Sequence, residues 1–279
     1  MTAVSKSLLF GTAGVPKTAP GTSTLVGITH IAAIGLDCQE IEFVKGVKMG
    51  SDTAGEIRKK STELGVGLSV HAPYYINLNS PETGKRLASQ ERILTSARLA
   101  HRCGARNVVF HPGYYGGDHP DKVFETIKNE LIEVASILKE ERLPVVLRPE
   151  VMGKRSQFGS LEEILFLCRE VEGLQPCLDF SHLYAREGKI NSYREFHRVF
   201  RKVEKKLGAD ALKDIHIHIS GSQFNDKGEI RHVNLNESDF RYDVWVQVLR
   251  DFDIRGLVIC ESPYQDKDAL MLKKLYLTG

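Results

Sequence analysis

The 279-residue sequence predicts an α/β protein, a single (β/α)8 TIM barrel over residues 1–279. Three observations predict it. Eight short runs rich in Val, Ile, Leu or Phe recur along the chain, as expected of strands buried on both faces. Longer amphipathic stretches separate them, and regular β-then-α alternation argues a parallel sheet. Eight such units in about this length argue a closed barrel. An open doubly wound sheet is the alternative, but no glycine-rich phosphate fingerprint follows the first run.

The runs are 7–11 (SLLFG), 40–46 (EIEFVKG), 65–71 (GVGLSVH), 107–111 (NVVFH), 144–150 (PVVLRPE), 176–182 (PCLDFSH), 214–221 (DIHIHISG) and 256–261 (GLVICE). The spacing of Leu87, Ile93, Leu94 and Leu99 predicts a helix over 83–103, with Gly104 as its C-terminal cap. A second helix is predicted over 121–141 from Val, Phe, Ile and Leu at spacings of one, three or four. Further helices are expected over 193–207 and 238–251, the latter capped by Ser238, with Arg241 in place of a capping-box acid.

Composition is ordinary for a globular chain, with 42% hydrophobic and 27% charged residues, which excludes a disordered or low-complexity scaffold. The net charge of +2 announces no nucleic-acid binder by itself, so any positive field must be local. No run approaches the roughly 18 apolar residues of a membrane span, and the N-terminal stretch has no leader pattern, so a cytoplasmic protein without a membrane partner is expected. Five scattered cysteines with no C-x-x-C pair read as buried reduced thiols.

What terminates the runs carries the chemistry. His71 ends the third, His111 the fourth and Glu150 the fifth; Asp179 and His182 end the sixth, His216 and His218 the seventh, and Glu261 the eighth. His232 sits in the loop after the seventh. In a barrel the C-terminal strand ends converge on one face. A single histidine at a strand end is most often a satisfied polar side chain, and His216 and His218 share a face, so one of them can be packing. The joint pattern is the observation: chance does not place His or acid at the ends of six successive runs. Imidazoles and carboxylates without thiolate suit Zn, Mn, Fe or Co. Crowded carboxylates repel unless cations sit between them or some stay protonated, and eight candidate ligands exceed one ion's coordination.

These residues resemble the endonuclease IV family of AP endonucleases, TIM barrels with three zinc ions. Residues 71–78 (HAPYYINL) resemble the family's third-strand motif, and Phe110–His111–Pro112–Gly113 its fourth. Residues 177–182 (CLDFSH) resemble its D-x-x-H motif, and Phe158–Gly159–Ser160 downstream of Glu150 also fits. The resemblance implies His71, His111 and Glu150 on one zinc, and Glu150, Asp179, His218 and Glu261 on a second, with Glu150 bridging. It implies His182 and His232 on a third. His218 rather than His216 aligns, because Ile-Ser-Gly follows it where the family chain turns away. The family supplies the third zinc from a D-x-H pair. Here Ile230 stands two before His232 and Glu229 three before, so the third ion is water-completed, reached by Glu229, or absent. The first loop, 12–24, shows no match.

The resemblance further implies zinc-dependent hydrolysis of the phosphodiester 5′ to an abasic site in duplex DNA during base excision repair, with Glu150 as the catalytic carboxylate, two or three Zn2+ (Mn2+ as a substitute) and a monomer acting on damaged double-stranded DNA. An abasic nucleotide has lost its stacking, so extruding it costs little, and a wedge must fill the gap. Tyr74 and Tyr75 match the family's DNA-penetrating loop, with rim packing as the alternative role. Lys154, Arg155 and Arg231 fall in loops on the same face, where phosphate contacts are expected. The basic stretch 198–206 lies on a helix that packs outside the barrel and reads as a solvated face. The alternative function is a xylose-isomerase-like sugar isomerase or epimerase using one divalent ion.

Overall fold

The structure is a computed structural model and describes residues 7–44 and 46–279. Its eight parallel barrel strands are β1 (Leu8–Ala13), β2 (Cys38–Glu42), β3 (Gly67–His71), β4 (Asn107–Phe110), β5 (Val146–Pro149), β6 (Cys177–Asp179), β7 (Ile215–Ile219) and β8 (Gly256–Cys260). They pair in the order β5-β4-β3-β2-β1-β8-β7-β6, each beside its neighbour in sequence. Parallel bridges Leu147↔Leu174 and Glu150↔Cys177 join the β5 edge to the β6 edge. The expected (β/α)8 barrel is therefore the observed fold.

Nine α-helices surround the strands among the described residues: α1 (Thr24–Ala33), α2 (Ser51–Leu64), α3 (Thr83–Cys103), α4 (Pro120–Glu140), α5 (Leu161–Glu170), α6 (Phe180–Glu187), α7 (Tyr193–Leu207), α8 (Tyr242–Asp251) and α9 (Gln265–Thr278). α3 and α7 have the expected bounds, and Gly104 takes the left-handed conformation (φ 82°) that ends α3. On α7, Phe196, Val199, Phe200 and Val203 are buried, while Arg201 and Lys202 pair with Glu204 and Glu162 at the surface, as the outer-helix reading expects.

Most of the other bounds shift by one or two residues, and three shift by more. The run 40–46 is a strand only to Glu42; a turn follows in which the Gly46 amide donates to the Phe43 carbonyl, and Lys45 lies outside the described residues. The run 176–182 is a three-residue strand that becomes a helix at Phe180, because the Asp179 carboxylate accepts from the His182 amide at 2.7 Å and caps α6. Ser238 does not cap α8. Its hydroxyl donates to the Leu235 carbonyl at 3.2 Å and closes a 3-10 turn, and α8 begins four residues later at Tyr242.

Alternation along the strands decides what faces the barrel lumen. Phe10, Ile41, Val70, Leu178, Ile215, Ile217, Ile219 and Val258 belong to the core between sheet and helices. By the two-residue period, Glu40, Glu42, Ser69, His71, Cys177, Asp179, His216 and His218 face inward. A small apolar cluster of Cys38, Leu257 and Ile259, backed by Leu9 and Ala13, shares that side, as does Val109 opposite His71. Most of this lumen is polar, where barrels of this architecture usually stack Val, Ile and Leu. Low in it, the fully buried Arg148 donates to Asn107 Oδ1 (2.9 Å) and the Asp214 carbonyl (2.9 Å) and pairs with the Asp214 carboxylate (3.2 Å).

Candidate metal centre at the barrel mouth

The strand ends bring the expected residues together. His71, at the end of β3, and His111, just past β4, each place Nε2 3.2 Å from Glu150 Oε2, just past β5. The two rings meet edge to face at 5.1 Å. Glu150 Oε1 is 3.6 Å from His218 Nδ1 and 3.1 Å from His182 Nδ1, so this buried carboxylate is common to four imidazoles. Glu150, Asp179, His218 and Glu261 form a second group, with His218 Nδ1 also 3.4 Å from Glu261 Oε1. His182, Glu229 and His232 form a third.

That third group answers the departure seen in the sequence. The segment after β7 is not a loop but an antiparallel hairpin, Gly221–Asn225 with Gly228–Val233. Its pairing runs Ser222↔His232, Gln223↔Arg231 and then Phe224↔Glu229, so Ile230 is an extra, unpaired residue. A bulge of this kind reverses side-chain parity. Three residues apart on a regular strand, Glu229 and His232 would face opposite sides; the bulge puts them on one. Glu229 Oε1 lies 2.8 Å from His232 Nε2, and Oε2 3.1 Å from His182 Nε2, while Ile230 turns outward and is 59% exposed. The hairpin seats closely on the loop after β5: a Cβ on Gly153 would lie 2.8 Å from His182 Cδ2, and one on Gly228 2.3 Å from the Gly153 carbonyl oxygen.

Ring orientation is fixed from behind. The Nδ1 atoms of His71, His182 and His232 face the carbonyls of Ala72 (2.7 Å), Val151 (2.9 Å) and Glu261 (3.3 Å), which leaves Nε2 for the mouth, while His182 Nδ1 also keeps its contact with Glu150. The electrostatics are those of a site short of positive charge. Burial opposes ionisation of Glu150, yet His111 and His218 hold its carboxyl well below the usual range. Burial pushes Glu261 up, and Glu42 up to about 8. Burial also opposes a proton on His71, but its contact with Glu150 and the charge of Glu42 raise it to about 9; Glu229 and Glu261 do the same for His232.

The donor set at the mouth fits borderline divalent cations: nitrogen and carboxylate oxygen, within ligand–ligand reach in each of these three groups, while Cys177, His216 and His218 form a fourth, fully buried one. Asp179 Oδ2, Glu229 Oε1 and His218 Nδ1 are buried without hydrogen-bond partners, which is costly unless a cation engages them.

The other expected contacts are placed as follows. The Tyr74 ring stacks on His111 at 5.3 Å, and its hydroxyl reaches Glu42 Oε2 at 3.2 Å. Tyr75 is half exposed and leans under the Arg92 guanidinium, 4.5 Å from its ring centre, so only Tyr74 lies over the cluster. Lys154 is exposed; Arg155 donates to the Arg186 carbonyl at 3.3 Å; Arg231, on the hairpin rather than in a loop, donates to Gln223 Oε1 at 2.9 Å. Arg186, unexpected from the sequence, ties the loop after β5 by donating to the carbonyls of Met152, Lys154 and Gln157. Glu40 and Glu42 were also missed. The available signal was E-x-E on β2, which puts two acids on one strand face, as H-x-H does on β7.

Comparison with known proteins agrees with this architecture. A family model described as "Xylose isomerase-like TIM barrel" matches residues 28–275. The chain is 44% identical to an uncharacterized protein of Methanocaldococcus jannaschii over 96% of this chain and 97% of that one. It is 26% identical to a probable endonuclease 4 of Mycoplasma pneumoniae over 71% of this chain and 68% of the relative. Among solved structures, endonuclease IV from Thermus thermophilus superposes with TM-score 0.75 at 19% identity, covering 97% of this chain and 98% of that one. A D-tagatose 3-epimerase-like protein superposes equally well, with TM-score 0.75 at 20% identity, covering 96% and 97%. Likeness at these identities speaks for the fold alone.

Proposed function

The chain belongs to the xylose isomerase-like TIM barrel family, and on that footing we propose that it is a metal-dependent AP endonuclease, hydrolysing the phosphodiester 5′ to an abasic site in duplex DNA during base excision repair. One observation carries the reading: three contiguous His/carboxylate groups meet at the mouth, and Glu150 belongs to two of them. His71, His111 and Glu150 would hold one zinc; Glu150, Asp179, His218 and Glu261 a second; His182, Glu229 and His232 a third. Zn2+, or Mn2+ in its place, would supply Lewis-acid neutralisation of the phosphate and acidify water for attack. A sugar epimerase working with one ion has no use for the third group, and the bulge that builds it argues against that alternative.

The chain's own residues do the rest. Glu150 is the catalytic carboxylate: buried, and held ionised by its imidazoles, it orients the nucleophile beside the phosphate. Tyr74 roofs the cluster and, with Tyr75 on the rim, occupies the space left by the missing base. Lys154, Arg155 and Arg231 ring the mouth and meet backbone phosphates. The chain acts as one barrel domain and as a monomer in the cytoplasm. No helix of the described residues is long and apolar enough to cross a membrane.

The test is incubation of zinc-loaded protein with an end-labelled duplex carrying one abasic analogue. A single nick 5′ to the lesion, leaving a 3′-hydroxyl, is expected. Glu150→Ala should reduce the rate by at least about 100-fold, the lower range for losing a positioned acid–base group, while the circular dichroism spectrum is kept. Absence of a nick by wild-type protein, with turnover of a ketose under one divalent ion, would replace this reading by the epimerase one.

A further inference from the structure

Beneath the mouth, the lumen holds a second layer that the proposed reaction leaves without a role. Glu40 on β2 is fully buried. Its Oε1 lies 2.8 Å from His218 Nε2 and its Oε2 3.0 Å from His216 Nε2, and Oε2 also accepts from the Ser69 hydroxyl at 2.7 Å. All four residues are sealed from solvent. An isolated carboxylate there would be expensive; the Ser69 hydroxyl donates to this one, and the His216 and His218 rings lie within ion-pair distance without aligned hydrogen bonds.

The orientation of His218 sets it apart. His71, His111, His182 and His232 all turn Nε2 to a carboxylate of their own group, although His182 Nδ1 also lies 3.1 Å from Glu150 Oε1. His218 is reversed: Nδ1 faces Glu150 and Glu261, and Nε2 points down at Glu40. Where His71, His182 and His232 have a backbone carbonyl behind the ring, His218 has the Glu40 carboxylate. The 2.8 Å contact lies off the ring's N–H axis, so it is a charge contact rather than an aligned hydrogen bond. A carboxylate can only accept, and its negative charge favours the proton on the nearer nitrogen.

We infer that Glu40 is a positioning residue for the second cation group: it keeps the proton of His218 on Nε2 and so presents Nδ1 as the ligand, with His216 and Ser69 holding Glu40 in place. This inference rests on the cation sites proposed above. It also separates the two histidines of the H-x-H run. His218 serves the mouth, and His216 braces the carboxylate that orients it. The same strand alternation that puts Glu42 beside His71 in the β2–β3 register puts Glu40 one layer below.

Two measurements test it. In zinc-loaded, 15N-histidine-labelled wild-type protein, long-range 1H–15N correlation should show one ligand imidazole bound through Nδ1 with a proton on Nε2, and the others bound through Nε2. Second, Glu40→Gln, which keeps size but removes the charge, should weaken zinc at one site by about 10–100-fold in competition with a chelator, the usual loss for a partner behind a metal-bound histidine, and leave the remaining sites unchanged. An Nδ1–H tautomer at His218, or unchanged affinity at every site of Glu40→Gln, overturns the role of Glu40 while the cation sites stand. Wild-type protein that takes up no zinc overturns the cation sites, and the role of Glu40 with them.

Discussion

Gly153→Ala puts a single methyl group where the β5 loop, α6 and the hairpin converge. The new Cβ would sit 2.8 Å from His182 Cδ2, 3.2 Å from the His182 Cα and 3.2 Å from Glu229 Cβ. The contact under 3 Å forces the His182 ring to shift, and the His182 Cα behind it, at 3.2 Å, cannot swing aside as a long side chain can. Overpacking of this kind costs about 1–3 kcal/mol. The strain falls on His182 and Glu229, two of the three residues of the third group, so the predicted damage is local. Thermal unfolding of the metal-free protein should shift down by roughly 2–4 °C for each kcal/mol in a barrel of this size. Zinc titration should show weakened binding at one site with the other two intact. The substitution should slow cleavage of abasic duplex more than it lowers stability. A variant with wild-type Tm and full zinc content would refute the argument that glycine is required for the hairpin to close on His182.

Further outcomes follow from the same geometry. Deleting Ile230 removes the bulged residue and brings the acid two positions before the histidine, so parity is kept and zinc content should stay the same; loss of one ion would refute the bulge argument. EDTA should stop cleavage, and zinc should restore it better than magnesium; full activity after verified metal removal would contradict the mechanism. His71 and His232 are each raised to about 9, so at pH 7 an entering cation must displace their protons. Zinc uptake should therefore release protons, and affinity should climb by about tenfold per pH unit per displaced proton until pH reaches that range; calorimetry in buffers of differing ionisation enthalpy checks it, and flat affinity from pH 6 to 8 would contradict it. Replacing Tyr74 and Tyr75 together by Ala should weaken binding to abasic duplex more than it slows the bound step, and equal affinity for damaged and intact DNA would end the wedge assignment.

The barrel was legible because a parallel sheet covered on the outside by helices writes each strand as an apolar run, and because histidine or acid closes most runs. Element ends were less legible. Asp179 reads as the end of a strand and is equally a helix cap, and Ser238 resembles a cap but closes a 3-10 turn. The hairpin could not be read from Gly228–Val233, since a bulge breaks the alternation by which strands are recognised. Glu40 escaped notice for a different reason. The E-x-E pattern it forms with Glu42 marks only a shared strand face, and its meaning comes from His216 and His218 on β7, far away in the chain and across the lumen in space.

The most direct measurement is anomalous diffraction at the zinc edge from crystals of the zinc-saturated protein. The account predicts peaks between His71, His111 and Glu150, among Glu150, Asp179, His218 and Glu261, and among His182, Glu229 and His232. A map without a peak in any of these groups would contradict it.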